Sequence, residues 1–259
     1  MKIAAFQFHS SQDLEANYAA LQRGFEKAAN DHVRFFITQE CALCGYPPVE
    51  RDTISTIDFA LVSEMIGRIK KFSAASNMIV AVGTISKKGQ AYRNSIILLT
   101  PGKRNLPSYD KRALWGWDVQ NFSTGVSKGI YTIDGIKIGI RICFEVRFPE
   151  YFRELFAADV QIAFVSFCDV SDQENLDRYE IIKSHLITRA VENAMMVVSA
   201  NSISKVQTAP TCMVDPDGKI IQIAPRDEEY LLVHDYEDFD PNYGRDGRIK
   251  MTRQFIGGK

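Results

Sequence analysis

The chain lacks an excess of either charge. Its 259 residues carry 31 Lys and Arg against 32 Asp and Glu, a net of −1. A chain so balanced has no basic footprint for nucleic acid or an anionic membrane surface, so neither is expected as a partner. Long apolar runs are missing too. No segment approaches the roughly 18 apolar residues of a membrane span. The opening MKIAAFQFHSSQD reaches Gln7 and His9 after a run too short for a secretory signal. A cytoplasmic location is the expectation. Cysteine is sparse and odd in number, five in all, which argues against a disulfide framework. Cys41 and Cys44 form a CxxC with no second CxxC or paired His behind it, so no metal site is expected. The two read as small buried side chains, with a thioredoxin-type redox pair as the alternative. Neither GxGxxG nor GxxxxGK[ST] occurs, so nothing supports phosphate cradling.

What is present is the make-up of a globular protein, 46% hydrophobic and 24% charged. That length can bury a core without disulfides or metals. Apolar runs at 2–8, 33–37, 78–85, 95–99, 160–166 and 195–200 read as strands. Tyr18, Leu21 and Phe25, then Ile57, Leu61, Met65 and Ile69, repeat at helical spacing, and 174–192 reads as a long helix. Asp134-Gly135 between 131–133 and 137–142 marks a hairpin, as does Pro216-Asp217-Gly218 further on, followed by a strand at 231–235. Pro149 suits the first turn of a short helix through residue 158. Crossovers early and hairpins late predict one α/β domain over 1–259 with mixed parallel and antiparallel pairing.

Three residues stand out by their settings. Cys143 closes the strand-like run KIGIRIC ahead of the Pro149 helix, where a nucleophile is exposed beside backbone N–H groups. Taken alone it also fits a buried strand cysteine. Glu40 ends HVRFFITQE, and open α/β sheets place sites at strand ends; a solvated loop carboxylate is the alternative. Lys111 lies in SYDKRALWGWD, a loop-like stretch dense in aromatics, and by itself also reads as a surface lysine. Together they are a base, an ammonium and a thiol. A thiol of ordinary pKa near 8.5 needs a base, and an ammonium can stabilise the oxyanion of acyl transfer.

At these residues the sequence resembles the carbon–nitrogen hydrolase, or nitrilase, superfamily. ITQECALCGYPP is similar to the segment with its catalytic Glu, with Gln39 where Pro is usual. SYDKRALWGWDVQNFSTG is similar to the Lys segment, IGIRICFEVRFPE to the nucleophile elbow, ITRAVENAMMVVSAN to an Arg-Ala-x-Glu-Asn stretch, and MVDPDGKII to the hairpin that follows. The resemblance implies a four-layer α-β-β-α sandwich of two mixed sheets, with Cys143 as nucleophile, Glu40 as general base and Lys111 as oxyanion stabiliser. It needs no cofactor and no metal.

The expected oxyanion and substrate-binding set is Phe144, through its backbone N–H, with Tyr46, Asp118, Glu145 and Phe167. Asp118 matches an additional family Glu by its spacing from Phe122 and Gly125, one methylene shorter; a cap or loop acid is the alternative. Glu145 corresponds to a family Asp and could instead pair with Arg147 or a neighbour. SFCDVSDQENLDRYE stands where many amidases carry an aromatic–proline loop, which puts Phe167 and Cys168 beside the pocket. The implied activity is thioester-mediated hydrolysis of a small-molecule amide, omega-amidase-like. N-carbamoyl compounds or nitriles are alternative substrates, and a non-catalytic binding subunit is the contrasting class. The family also implies a homodimer. Its candidate faces are the 174–192 helix and the elbow helix with Tyr151, Phe152, Leu155 and Phe156, unless those side chains simply pack on the sheet.

Overall fold

The computed structural model describes residues 1–240 and 242–257. Its first half runs β1 (Lys2–Gln7), α1 (Leu14–Asn30), β2 (Phe35–Thr38), α2 (Phe59–Ser76), β3 (Ile79–Lys88), β4 (Ala91–Leu99), β5 (Leu106–Asp110) and the short α3 (Trp117–Asn121). The second half runs β6 (Ile130–Ile133), β7 (Ile136–Ile142), α4 (Pro149–Ala157), β8 (Ile162–Phe167), β9 (Val170–Ser171), α5 (Leu176–Asn193), β10 (Met196–Asn201), β11 (Val206–Gln207), β12 (Cys212–Val214), β13 (Ile220–Ile223), β14 (Tyr230–Asp235) and α6 (Tyr243–Gly257).

Two six-stranded sheets result, in the orders β14-β1-β2-β3-β4-β5 and β13-β12-β10-β8-β7-β6. Each has three parallel strands at its centre, β1, β2 and β3 in one and β7, β8 and β10 in the other. Antiparallel strands flank both trios. Parallel neighbours need crossovers, and α1, α2, α4 and α5 supply them.

Side-chain alternation sorts the core into three layers. On β1, Ile3 and Ala5 face the opposite sheet while Ala4 and Phe6 face α1 and α2. On β8, Ile162 and Phe164 face the first sheet while Ala163 and Val165 face α4 and α5. Phe35 meets Phe164 across the sandwich, ring centroids 4.6 Å apart, a contact worth about 0.5–1.5 kcal/mol beyond burial. The expected α-β-β-α sandwich is therefore present. On α4, Phe152, Leu155 and Phe156 are buried in the layer against the second sheet, so they pack on the sheet and offer no outer face.

Three segments depart from the sequence reading. The loop-like stretch before Lys111 is β5, whose Pro107 is tolerated because β5 is a sheet edge. Residues 91–94 extend β4 back to a Gly89 turn with positive φ, making a long hairpin with β3. The polar helix α6 carries too weak an apolar stripe to have been read from periodicity.

Candidate active site

The site forms where the ends of parallel strands from both sheets meet. Thr38, the last residue of β2, accepts at its carbonyl from Ser166 Oγ on β8 at 2.8 Å. Two residues on, the Glu40 N–H donates to the Phe167 carbonyl at 3.1 Å. These bonds seam one sheet to the other. Ile142 of β7 pairs with Ser166, so Cys143, the next residue, emerges beside the same seam. Lys111 follows β5 directly, and its N–H donates to the Asn94 carbonyl at 2.8 Å.

Two glycines allow the close approaches. A Cβ on Gly83 would lie 2.1 Å from the Gln39 carbonyl oxygen, and one on Gly125 would lie 1.9 Å from that of Asp110. Each therefore holds the backbone beside a functional side chain.

Around this seam sits a buried charge cluster. Lys111 Nζ donates to Glu40 Oε1 and to Asp118 Oδ2, both at 2.8 Å. Asn94 Nδ2 donates to Glu40 Oε1 at 2.6 Å, the Cys168 N–H to Glu40 Oε2 at 3.0 Å, and the Tyr46 hydroxyl to Asp118 Oδ1 at 2.8 Å. Side-chain exposure is 3% for Lys111, 0% for Glu40 and 2% for Asp118. Taking such ions out of water costs several kcal/mol each, so this arrangement is kept for something other than stability. An ammonium has three donors. Two of those on Lys111 are committed, and the third remains for a ligand.

The titration directions follow from the cluster. Burial pushes the Glu40 carboxyl up; Lys111 opposes this, Asp118 adds to it, and the net shift is upward. Burial alone would pull the Lys111 ammonium down, but Glu40, Cys143 and Asp118 outweigh it and hold it well above the usual lysine range. Burial and the Glu40 charge raise the Cys143 thiol well above its ordinary value against the pull of Lys111. Cys143 thus rests as a thiol beside a strengthened base, within electrostatic reach of both Glu40 and Lys111.

Cys143 has φ +46°, the left-handed region in a non-glycine residue. Strain of this kind costs on the order of 1–3 kcal/mol and gathers at functional sites. The cysteine opens a 3-10 turn, Cys143–Arg147. Phe144 is the next residue, in the first turn, where N–H groups have no intrahelical acceptor. Its ring stacks on Trp115 with centroids 6.1 Å apart, and Trp115 is 71% exposed.

The structure brings Glu40, Lys111, Cys143, Asp118 and Tyr46 to one place, with Phe144 next to the thiol. Asp118 is an ion partner of Lys111 rather than a loop or cap acid. Two more residues of the expected set make contacts of their own. Glu145 is fully buried, and its carboxylate is engaged on both oxygens. It accepts from the Tyr109 hydroxyl at 2.8 Å, from the N–H groups of Arg112 at 2.7 Å and Ala113 at 3.3 Å, and from that of Ile142 at 2.7 Å. It therefore clamps the segment after Lys111 to the elbow, pairing with neighbours other than Arg147. Strand alternation puts the Phe167 side chain in the helix-side core, against which Cys143 also packs, and its carbonyl accepts from the Glu40 N–H.

Cys41 and Cys44 are free, buried thiols. Cys41 meets Asn94 and Cys44 meets Thr84, which agrees with their being ordinary buried side chains. Sequence reasoning put Cys168 beside the pocket but missed Asn94 and the role of the Cys168 N–H, the two neutral groups that hold Glu40. An asparagine inside a strand and a backbone amide leave no motif.

A thiol on a strained strand end, with a buried carboxylate and ammonium at its side, is the apparatus of a carbon–nitrogen hydrolase. The sequence pattern of that family, "Carbon-nitrogen hydrolase", matches residues 2–237, and the chain belongs to it. Among curated relatives it is 22% identical over 233 residues to a 2-oxoglutaramate amidase of Bacillus subtilis, covering 87% of each chain. It is 27% identical over 188 residues to an (R)-stereoselective amidase of a Pseudomonas species, covering 68% of this chain and 66% of the relative. Among solved structures it resembles the amidase of Nesterenkonia sp. AN1, from the nitrilase superfamily. A form of that amidase carrying the acetamide moiety of fluoroacetamide on its active-site cysteine superposes with a TM-score of 0.83 at 19% identity, over 99% of this chain and 95% of that one.

Proposed function

We propose that the chain is a cysteine amidase that hydrolyses a small-molecule amide through a thioester. The observation that carries this reading is the buried Glu40–Lys111–Asp118 cluster next to the Cys143 thiol. Cys143 Sγ attacks the amide carbonyl while Glu40 takes the thiol proton. The third donor of Lys111 and the Phe144 N–H hold the oxyanion. Glu40 returns the proton to the nitrogen, the C–N bond breaks, and ammonia or an amine leaves. Water, deprotonated by the same carboxylate, then attacks the thioester carbonyl. Release of the acid restores the thiol. Asp118, held by Tyr46, keeps the Lys111 ammonium charged and aimed.

Names among the relatives, 2-oxoglutaramate amidase and deaminated glutathione amidase, support small ω-amides of carboxylic acids as the first substrates to try. The decisive screen measures ammonia release from such amides, N-carbamoyl amino acids and nitriles, with Cys143→Ala as control. Release confined to amides supports the reading. Preferred turnover of nitriles or N-carbamoyl compounds replaces its substrate class, and release undiminished in Cys143→Ala removes the nucleophile.

The same reading takes the chain as one hydrolase unit over 1–259, working in a reducing cytoplasm that suits five free thiols, and self-associating as a homodimer. Leu176 and Ile181, each 52% exposed on α5, support an outer contact face there. A strict monomer in sedimentation at micromolar concentration would remove the dimer from the proposal.

A further inference from the structure

β8 and β10 stop together. Their last residues, Phe167 and Asn201, are partners in the parallel ladder. Cys168 and Asp169, which follow, belong to no strand. Yet the first peptide link past the pair is the one that touches the base. The Phe167 carbonyl accepts from the Glu40 N–H at 3.1 Å, and the Cys168 N–H donates to Glu40 Oε2 at 3.0 Å. One peptide therefore meets both the backbone and the carboxylate of Glu40, and whatever orients that peptide orients the base.

Asp169, the residue after that link, is gripped at every polar group. Asn201 Oδ1 accepts from its N–H at 2.9 Å, and Asn201 Nδ2 donates to its carbonyl at 2.9 Å. Nδ2 also donates to the Ala209 carbonyl at 2.7 Å, and the Thr208 N–H reaches the Asp169 carbonyl at 3.0 Å. The Asp169 carboxylate accepts from the Thr208 hydroxyl, and from Arg178 Nε and Nη2 at 2.7 and 2.8 Å. Asn201 is fully buried, and Asp169 nearly so. A primary amide offers an acceptor and a donor side by side. Asn201 thus supplies what a neighbouring strand would have given Asp169 had the ladder continued. The Asp169 charge works against ionisation of the Cys143 thiol. A buried carboxylate there does not help the nucleophile, which fits a group retained for holding the chain.

We propose that Asn201 is a positioning residue for the hydrolysis: by holding the N–H and carbonyl of Asp169, it keeps the Phe167–Cys168 peptide aimed at Glu40. The proposal rests on the reading of Glu40 as general base. Asn201 closes the ITRAVENAMMVVSAN stretch, to which the reaction steps assign no other task. It complements Glu145. That carboxylate ties together the segments that carry Lys111 and Cys143, and Asn201 secures the third group of the site.

Steady-state ammonia release across pH tests the proposal. Asn201→Leu keeps the bulk and removes both contacts to Asp169. Its kcat should fall at least about tenfold with KM little changed. An ionised carboxylate that loses an N–H donor is less stabilised, so the acid limb of kcat/KM should move up by about half a pH unit or more. A purely structural role would lower the folded fraction and leave the limb in place. Asn94→Leu, which removes a direct donor to Glu40, should move the limb the same way. If Asn201→Leu does not fold, Asn201→Ser, whose hydroxyl is too short to span both groups, carries the test with the same direction of shift. A limb that moves in Asn94→Leu and stays in the Asn201 variants overturns the inference and leaves Glu40 as base. Full rate in Glu40→Gln ends the amidase reading, and this inference with it.

Discussion

Glu145 gives the sharpest test of how the site is held. Its two carboxylate oxygens serve opposite sides. Oε1 receives the N–H groups of Arg112 and Ala113, directly after Lys111, and Oε2 receives that of Ile142, directly before Cys143. Glu145→Gln keeps the shape but leaves one acceptor oxygen. Whichever way the amide turns, one or two buried N–H groups face its NH2 instead. Each orphan costs about 1–3 kcal/mol, so the variant should lose about 2–4 kcal/mol. A domain with about 5–15 kcal/mol of stability survives that loss.

The functional effect should exceed the stability effect, because the clamp ties Lys111 to the elbow. We expect kcat to fall at least about tenfold with KM little changed, since orientation at the reacting centre is what is lost. Alkylation of Cys143 by iodoacetamide should lose its dependence on Glu40 in parallel, whereas a purely structural role would leave thiol chemistry intact in the folded fraction. Glu145→Asp, which retains both oxygens, should recover part of the rate. Urea unfolding and steady-state ammonia release read the two effects. Wild-type stability together with wild-type kcat in Glu145→Gln would refute the clamp.

The charge cluster fixes a pH dependence. Glu40 must be ionised to act as base, and its carboxyl is pushed upward, so the acid limb of kcat/KM should lie above the ordinary glutamate value of about 4.3. Asp118→Asn removes a charge that raises Glu40, so the limb should move to lower pH while kcat falls through the loss of a Lys111 partner; a limb that stays in place would contradict the coupling. Tyr46→Phe removes one hydrogen bond to Asp118, worth about 1–1.5 kcal/mol, and should lower kcat by about tenfold or less without unfolding the chain, as thermal melting would show. Gly125→Ala sets a Cβ 1.9 Å from the Asp110 carbonyl. It should cost about 1–3 kcal/mol and displace Lys111, seen as a lower melting temperature with a larger loss of rate, while an unaffected rate would show the close approach to be idle.

The sequence disclosed these features unevenly, for physical reasons. Strands buried on both faces, such as Phe35–Thr38 and Ile162–Phe167, show as continuous apolar runs, and Asp134-Gly135 marks a turn by its backbone requirement. Glu40 and Cys143 end apolar runs and Lys111 lies among aromatics, but it was the family resemblance that picked these three from 31 cations and 32 acids and tied them together. Edge strand β5 was hidden by Pro107 and its polar residues, and α6 by a weak stripe. Being near a nucleophile in sequence does not fix the direction of a side chain, so the surroundings of Glu145 and Phe167 were not legible. A 3-10 turn folds Glu145 back under the elbow, and strand alternation carries Phe167 to the helix side.

Acid-quenched turnover followed by peptide mass spectrometry tests the central claim most directly. With an amide that releases ammonia, the peptide containing Cys143 should gain the mass of the acyl group and lose it on treatment with hydroxylamine. Glu40→Gln, whose side chain cannot take a proton from water, should alter how much of this species accumulates. Continued ammonia release with Cys143 unmodified, or acylation found instead on Cys41, Cys44, Cys168 or Cys212, would contradict the account.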